Sequence, residues 1–272
     1  EKFDVMIVEN FDMCGVALTQ ILKPKAIIGS ASHAAFGHQL DEFGIPAFPS
    51  FDPSLYTPGM NVHSIWDRLV NLYADFLVRW SYYYMRAAID DLFKERFGPG
   101  FPSVRSIATH STFNFVNSEP LIDFATPTLS KVVCIGGIGT RQPQKLSADW
   151  ENVLAIRKKT ILLSFGSVCK SIYLSLDTKR AILEAIRSLP EITFIWKYEA
   201  DDDFSQNNAA KVPNVVLTQW MPQTDILNHP NLTAFITHGG MGSILETARA
   251  GVPAIIVPLF ADQPRNAGMM EY

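Results

Sequence analysis

The sequence predicts an α/β protein in which parallel strands are covered by crossover helices. Short apolar runs alternate with helical patterns from one end of the chain to the other, which is typical of this class. At about 150 residues per domain, the 272 residues are enough for two ordinary cores. Apolar residues make up 47% of the chain and charged residues 18%, so the sequence can bury large cores and shows no signature of disorder.

In the first half, apolar runs predict four strands, near residues 3–8, 25–29, 112–116 and 131–135. A long helical pattern covers residues 64–97 and ends at Gly98-Pro99-Gly100. Its apolar residues recur at steps of three and four: Trp66, Leu69, Val70, Tyr73, Phe76, Leu77, Trp80, Tyr84 and Ala87. We expect this stripe to pack in the core; the alternative is that it forms a wall of a ligand pocket.

A polar segment over residues 136–159 is predicted to join the two halves, because Gly136 to Pro143 interrupts regular structure. After it, strands are predicted near residues 160–164, 193–198, 214–218, 232–236 and 254–257. Helices are predicted near residues 177–188, 223–228 and 241–250. The second half therefore reads as a regular alternation of strands and helices.

Composition and spacing exclude several classes of function. The net charge is −4 and no five like charges cluster, so we expect no nucleic-acid partner. The three cysteines, Cys14, Cys134 and Cys169, have no CxxC spacing, and the six histidines form no HExxH pattern. We therefore predict no metal site and no bound cofactor.

The two ends of the chain resemble the interior of a longer protein. The first residues form a strand-like run, and Tyr272 falls in a helix-like stretch. No window of 18 apolar residues and no basic region followed by an apolar run is present. We expect the chain to be an internal fragment.

Polar residues follow four of the predicted strands, at the edge where ligands of parallel sheets bind. These segments are Ser164–Ser167, Gln219–Gln223, Thr237–Ser243 and Pro258–Gln263. Because the carboxyl ends of parallel strands meet at one edge, we expect all four segments to face one crevice. Helix capping explains any one of them alone, but explains four together less well.

The third segment has the chemistry of a phosphate site. Gly239, Gly240 and Gly242 allow close approach of the backbone, and the helix that they open presents unpaired N–H groups and a positive dipole end. His238 can donate a hydrogen bond to the same oxygens, and Glu246, one turn into the helix, can accept from vicinal ribose hydroxyls. This spacing suits a nucleotide; the alternative is a tight turn that binds no ligand.

The other segments suit the remaining parts of a nucleotide sugar. Trp220 offers a flat face for a base, although a Trp after a strand is usually a core residue, and Gln223 can reach the attached sugar. Asp262 and Gln263 can bind sugar hydroxyls, while Asp262 as a helix N-cap is the alternative. Ser167 has the same ambiguity between an N-cap and a phosphate ligand.

A dinucleotide-binding fingerprint is a competing interpretation of Cys134 to Gly139, where a strand is followed by glycines. The fingerprint requires a helix next, but Arg141-Gln142-Pro143 introduces a proline break instead. An NAD-dependent oxidoreductase therefore remains only a weaker hypothesis. Gly166-Ser167 does not lie in a GxSxG motif, so the sequence gives no support to a serine hydrolase.

The longer motifs resemble the donor-binding signature of UDP-glycosyltransferases. They are Trp220 to Leu227 with His229-Pro230, Ala234 to Gly240, Glu246, Gly251-Val252-Pro253 and Pro258 to Ala267. Within that family the chain resembles animal UDP-glucuronosyltransferases, and Leu163 to Val168 and His238 to Ser243 are similar to nematode members. The signature spans over forty residues at fixed spacing, so it is far more specific than a short glycine motif.

The resemblance implies GT-B architecture, with two facing doubly wound, Rossmann-like parallel-sheet domains. Residues 1–145 would be the later part of an incomplete acceptor-binding domain plus a linker, and 146–272 a truncated UDP-sugar domain. Trp220 would stack on uracil, while Gln223 and Glu246 would hold the ribose. Ser167, His238 and the N–H groups of Gly242 and Ser243 would bind the diphosphate. Asp262 and Gln263 would hold the transferred sugar, and Gly166 and Gly240 would also belong to the donor site.

The resemblance also implies the reaction. A base His, which should lie upstream of Glu1, would deprotonate a small lipophilic acceptor hydroxyl that attacks the sugar with inversion. Glu9 stands at the position that orients this His, where many members have Asp, and Gly242 replaces an Asn. We expect the fragment alone to be inactive; a UDP-sugar-binding homologue without turnover is the alternative.

The family resemblance carries expectations about the whole protein as well. The full-length protein would lie in the endoplasmic reticulum lumen, held by a membrane anchor, and could form a homo-oligomer. UDP-glucuronate is the expected co-substrate, although the residues do not distinguish it from UDP-glucose. Asn231-Leu232-Thr233 is a glycosylation sequon, but it adjoins a predicted strand.

Overall fold

The computed structural model describes residues 3–11 and 13–271; residues 1, 2, 12 and 272 lie outside the described residues. The chain forms two compact units. The first unit extends to Gly137 and resumes at Phe260, and the second unit is Ile138–Leu259. This grouping differs from the predicted domains mainly at residues 260–271, which the sequence interpretation assigns to the second domain.

The first unit contains a parallel sheet of four strands in the order β1-β2-β3-β4. The strands are β1 (Val5–Glu9), β2 (Ala26–Ala31), β3 (Phe113–Val116) and β4 (Val132–Cys134). The helices before the linker are α1 (Cys14–Leu22), α2 (Gly37–Phe43), α3 (Ile65–Phe97) and α4 (Val104–Thr109). The four predicted strands and the long helix are confirmed, whereas α1, α2 and α4 were not predicted.

The apolar stripe of α3 does not lie in the core, so that prediction is wrong. Eight of its nine residues are exposed, from Leu77 at 38% to Trp66 at 71%, and Ala87 is half-buried. The helix instead buries a face that includes two polar residues, Asn71 and Asp75.

The buried face of α3 also carries Val78, Tyr82, Ile89 and Phe93, and hydrogen bonds satisfy its two polar residues. Asn71 donates from Nδ2 to the carbonyls of Pro49 and Asp52, at 2.7 and 2.9 Å, and its Oδ1 accepts from the Ser54 N–H at 2.8 Å. Asp75 accepts from Arg79 Nε at 2.6 Å. Buried polar groups that have hydrogen-bond partners are tolerated, so Asn71 and Asp75 can share this face with the four apolar and aromatic residues.

The second unit contains a parallel sheet of five strands in the order β7-β6-β5-β8-β9. The strands are β5 (Lys159–Ser164), β6 (Ile192–Lys197), β7 (Val215–Thr218), β8 (Leu232–Thr237) and β9 (Ala254–Ile256). The helices from the linker onward are α5 (Ala148–Ala155), α6 (Leu176–Arg187), α7 (Asp203–Asn207), α8 (Gln223–Leu227), α9 (Met241–Ala250) and, in the first unit, α10 (Gln263–Glu271). All five strands and the three predicted helices are confirmed.

Helices cover both faces of this sheet, so its central strands are apolar along their length. Leu162 of β5, Ile195 and Trp196 of β6, and Phe235 of β8 have no exposed surface. The chain moves outward from β5 through β6 to β7, and β8 and β9 then lie on the other side of β5. The order of the strands therefore reverses at β5, which gives the doubly wound topology that the sequence predicts.

Two buried titratable side chains lie one turn apart on α2. His38 packs on the Tyr82 ring at a centroid distance of 3.7 Å, and burial lowers its pKa to about 3. Among the described residues, no group forms a hydrogen bond with its ring nitrogens. Burial raises the pKa of Glu42 to about 7, although Arg86 donates to its carboxylate at 2.7 Å and opposes the increase.

Single substitutions of His38 and Glu42 should reveal opposite pH dependences of stability. The pKa of His38 is lower in the folded chain, so its contribution is lost as the pH falls below 6.5. The pKa of Glu42 is higher in the folded chain, so its contribution is lost as the pH rises towards 7. We compare the unfolding free energy of each variant with that of the wild type at the same pH. As the pH falls from 6 to 5, we expect this difference to rise by up to about 1.4 kcal/mol for His38→Phe and to fall by a similar amount for Glu42→Gln.

Urea unfolding of the full-length protein at pH 5, 6 and 7 measures these two slopes. The wild type serves as the control, because the two contributions oppose each other in it. If the unfolding free energy of all three proteins depended on pH in the same way, the pKa directions assigned to His38 and to Glu42 would both be contradicted.

Candidate functional site

A cavity of about 390 Å³ opens at the carboxyl edge of the second sheet, on both sides of the point where the strand order reverses. Its walls are the last residues of β5 and β6, the loops after β5 and β7, and α8 and α9 near their first turns. The lining residues are Arg141, Ser164, Gly166, Ser167, Lys197, Trp220, Met221, Pro222, Gln223, Thr224, Gly242, Ser243 and Glu246. Three of the four predicted strand ends are therefore brought together within the second unit.

His238 lies against Gly166 and Gly240, so a larger residue does not fit at either of these two positions. A Cβ on Gly240 would lie 2.6 Å from His238 Nε2, and one on Gly166 would lie 2.6 Å from His238 Cε1. Gly166 also has φ +89°, a conformation that other residues adopt only with strain. The glycines thus place the imidazole between the loops that follow β5 and β8.

The first turn of α9 faces the same cavity. Gly240 is its N-cap residue and provides no side-chain hydrogen bond to the helix. The N–H groups of the first turn are directed along the helix axis at its positive end, where an anion is stabilised. Gly242 and Ser243, which line the cavity, belong to this turn.

A carboxylate of α9 is connected to two polar side chains of α8 at the wall of the cavity. Glu246 of α9 accepts from Gln223 Nε2 at 2.5 Å and from Thr224 Oγ1 at 2.9 Å, both on α8. Gln223 also lies 3.4 Å from Ser243 Oγ. Each carboxylate oxygen has a second lone pair, so Glu246 can still accept from a ligand hydroxyl.

Trp220 is 73% exposed, so it is not the core residue that strand-end tryptophans usually are. The Lys197 ammonium lies 5.1 Å from the centre of its ring and donates to the Gly166 carbonyl at 2.8 Å. Lys197 was not predicted as a site residue. The available signal was a cation at the carboxyl end of the otherwise apolar strand β6.

Arg141 is a second lining residue that the sequence did not indicate. It forms an ion pair with the buried Asp225 of α8, whose other oxygen accepts from the Gln144 N–H at 2.7 Å. The Arg141 guanidinium holds the pKa of Asp225 below its usual range. This pairing fixes the start of the second unit beside the first turn of α8.

Asp262 and Gln263 belong to the first unit, so their predicted place beside the other three strand ends stays a prediction. Asp262 accepts from Asn266 Nδ2 at 2.7 Å, and Gln263 is buried with its Oε1 accepting from the Phe260 N–H at 3.0 Å. Asp262 lines a second cavity, of about 220 Å³. Its other lining residues are Phe11, His33, Phe36, Leu55, Tyr56, Ser81, Tyr82, Met85 and Ala261.

Glu9 ends β1 and pairs in register with Ser30 of β2. Burial, together with the charges of Glu42 and Glu9 among others, raises the pKa of the Tyr82 hydroxyl, so this group is protonated at neutral pH. The predicted role of Glu9, orienting a base His, stays a prediction.

The structure adds two observations on the part of the chain that it describes. Within residues 3–11 and 13–271, no three His, Cys, Asp or Glu side chains are grouped so that they could hold a metal ion. None of the helices described there has both the length and the apolar character that a membrane span requires.

Comparison with known families decides the classification. The family described as "UDP-glucoronosyl and UDP-glucosyl transferase" matches residues 1–272. The chain belongs to this family. The conclusion agrees with the glycine-flanked His238, the Gln223–Glu246 pair and the exposed Trp220, all of which fall in the signature that the sequence resembles.

Curated relatives of this UDP-glycosyltransferase chain include nematode and mammalian proteins. "Putative UDP-glucuronosyltransferase ugt-48" of Caenorhabditis elegans is 33% identical over 272 residues, which are 100% of this chain and 52% of the relative. UDP-glucuronosyltransferase 3A1 of Bos taurus is 33% identical over 271 residues, 98% of this chain and 50% of the relative. The chain spans about half the length of the curated relatives it matches.

Solved structures show the fold. The kitacinnamycin glycotransferase has a TM-score of 0.63 at 18% identity and matches 98% of this chain and 60% of its own. A UDP-glucosyltransferase from Polygonum tinctorium has a TM-score of 0.62 at 18% identity, over 98% and 59%. The α/β fold of this chain is therefore a GT-B fold with one domain incomplete, as the sequence predicts.

We expect Gly240→Ala to move the His238 ring without unfolding the second unit. The φ of Gly240 is −63°, so alanine fits the backbone, but its Cβ would lie 2.6 Å from His238 Nε2 and the ring must shift. The His238 imidazole resonances in NMR spectra should change, while the melting temperature stays within a few degrees.

Gly139→Ala is the matched control, because a Cβ there meets nothing within 4 Å. Its His238 resonances should coincide with those of the wild type. An unchanged imidazole spectrum in Gly240→Ala would contradict the described packing.

Proposed function

We propose that the full-length protein is an inverting glycosyltransferase that moves a glucuronosyl group from UDP-glucuronate to a hydroxyl of a small lipophilic acceptor. The observation that carries this proposal is the cavity at the carboxyl edge of the second sheet. It combines an exposed indole, a carboxylate–amide pair and an uncapped helix start, and the His238 imidazole lies against its lining residue Gly166. The names of the nematode and mammalian relatives support the sugar that we propose.

The donor would bind with its uracil on the Trp220 face and its ribose between Gln223 and Glu246. The diphosphate would be held by Ser167, His238 and the N–H groups of Gly242 and Ser243, where the helix dipole favours negative charge. Lys197 adds a positive charge to this side of the cavity. A Phytolacca americana UGT2 with a TM-score of 0.58 is complexed with UDP-2fluoro-glucose and pterostilbene, which supports this ligand class.

The proposed reaction is a direct displacement. A base His, which we expect upstream of Glu1 and oriented by Glu9, takes the acceptor hydroxyl proton while the oxygen forms a bond to the anomeric carbon. The bond between that carbon and the UDP oxygen breaks, and UDP leaves with the electron pair. The α9 dipole and His238 stabilise the charge that develops on the diphosphate, and Asp262 and Gln263 hold the sugar.

The acceptor site that we propose is the cavity of the first unit that Asp262 lines. Most of the lining of this cavity is aromatic or apolar, as in small-molecule sites: Phe11, Phe36, Leu55, Tyr56, Tyr82 and Met85. Asp262, the proposed sugar contact, also lines this cavity. Sugar and acceptor would therefore meet at this residue.

We propose a membrane-anchored location in the endoplasmic reticulum lumen from the family resemblance alone. For the sequon at Asn231, the contacts favour an unmodified side chain. Its Nδ2, the atom to which a glycan is attached, donates to the Leu154 carbonyl at 3.0 Å.

Removing the indole should weaken UDP binding. Trp220→Ala in the full-length protein loses a base-stacking surface worth about 1–3 kcal/mol, a five- to 150-fold increase in the dissociation constant measured by calorimetry. Tyr173→Ala is the matched control, because Tyr173 is 76% exposed in the same unit and does not line the cavity. Unchanged UDP affinity in Trp220→Ala, or tighter binding of NAD than of UDP by the wild type, would overturn the donor assignment.

Asp262→Asn should lower transfer more than it lowers UDP binding, because UDP lacks the sugar that Asp262 contacts in our proposal. Product formation by the full-length protein is measured with UDP-glucuronate and with UDP-glucose, and UDP affinity is measured separately. We expect turnover to fall at least tenfold and the UDP dissociation constant to stay within twofold. UDP binding without turnover of either donor by the wild type would favour a binding protein over an enzyme.

A further inference from the structure

A buried charged network of the first unit surrounds Arg265 of α10, which is 1% exposed. Its guanidinium donates to three groups: Asp123 Oδ1 at 2.7 Å, the Pro53 carbonyl at 3.2 Å and Asp52 Oδ1 at 3.4 Å. The Phe36 and Phe124 rings lie 5.5 and 5.0 Å from the guanidinium carbon. Only a planar side chain with several donors satisfies all of these partners at once.

A second contact of α10 lies one turn further along the helix. A Cβ on Gly268 would lie 1.6 Å from the Pro58 carbonyl oxygen, so the helix backbone packs directly on residues 58 and 59. Arg265 and Gly268 therefore both hold α10 against the segment 52–59. The other side of this segment is bound by Asn71 of α3 through the Asp52 carbonyl and the Ser54 N–H.

The two elements joined in this way both contribute walls to the 220 Å³ cavity. Asp262 precedes the first residue of α10, and Leu55 and Tyr56 belong to the segment 52–59. The spacing between Asp262 and these two apolar side chains therefore depends on how α10 is held against the segment.

We propose that Arg265 is a positioning residue that sets the distance between Asp262 and the Leu55–Tyr56 wall, and so aligns the acceptor with the transferred sugar. The inference depends on the proposed function, in which Asp262 contacts the sugar and the cavity holds the acceptor. Arg265 contacts neither ligand in this proposal and acts through the elements that it joins.

The electrostatics of the network favour a specific position of α10 more than they favour the stability of the fold. Two carboxylates face one guanidinium, and burial raises the pKa of Asp52 to about 6 in spite of the Arg265 charge. Buried ion pairs of this kind contribute little net stability, but loss of one partner leaves an uncompensated buried charge. A simple replacement of Arg265 would therefore combine loss of position with loss of folding.

A neutral network separates these two effects. The variant Arg265→Met/Asp52→Asn/Asp123→Asn leaves no buried charge unpaired, yet it lacks the guanidinium that joins α10 to residues 52 and 53. The full-length protein is assayed with UDP-glucuronate as donor and 1-naphthol as probe acceptor. We expect the KM for 1-naphthol to rise and kcat to fall by about ten- to a hundredfold, the cost of a misplacement near 1 Å, while the UDP dissociation constant stays within twofold.

Two further variants complete the comparison. Arg265→Lys keeps the charge but not the planar fork, so its KM should lie between those of the wild type and the triple variant. Arg96→Met replaces an exposed arginine at the end of α3 and should match the wild type in all measurements.

The proposal would be overturned if the triple variant had the KM and kcat of the wild type. It would also be overturned if the UDP affinity of the triple variant fell as much as its transfer activity, because that result indicates a structural role alone. Calorimetry with 1-naphthol and no donor tests the cavity separately from transfer. Tenfold weaker binding by the triple variant supports the role of Arg265 even if transfer proves absent. Equal binding, or no binding by the wild type, overturns it.

Discussion

The parallel pairing of β5 with β8 is the constraint on which the site of the second unit depends. Ser164 and Thr237 are partners at the end of this ladder, so the loops that follow them leave the sheet side by side. That proximity makes glycine necessary at residues 166 and 240, where the backbone lies against the His238 ring. β6 lies on the opposite side of β5 from β8. The connections that follow β5 and β8 therefore run in opposite directions from the carboxyl edge of the sheet and leave the cavity open between them.

Side chains of opposite character complete that cavity. The glycines and the start of α9 supply backbone donors, Glu246 supplies an acceptor that Gln223 and Thr224 hold in place, and Trp220 supplies an apolar face beside the Lys197 ammonium. Each part suits a different portion of a nucleotide sugar: phosphate, ribose and base. The site therefore depends on rigid strand ends and helix starts, and its polar side chains are held by contacts within the second unit.

The first unit is organised by buried polar groups as well as by its apolar core. The inward face of α3 combines Val78, Tyr82, Ile89 and Phe93 with the hydrogen-bonded Asn71 and Asp75, and the predicted apolar stripe is exposed. Arg265 has an equivalent role for α10, whose position depends on two carboxylates and a carbonyl from residues far away in the chain. In both cases the buried polar atoms have hydrogen-bond partners, which makes their burial tolerable.

Local sequence pattern was sufficient to predict the nine strands of the described residues and the helices α3, α6, α8 and α9. It was also sufficient to group Gly166, Trp220, Gln223 and Glu246 at one edge of the sheet. Strand length, helical periodicity and the residues that follow a strand are all properties of short segments. The helices α1, α2, α4, α5 and α7 were not predicted. The buried face of α3, the part of Lys197 in the cavity and the return of residues 260–271 to the first unit were decided only by tertiary structure. They depend on contacts such as Arg265 to Asp52, across 213 residues, which no local pattern records.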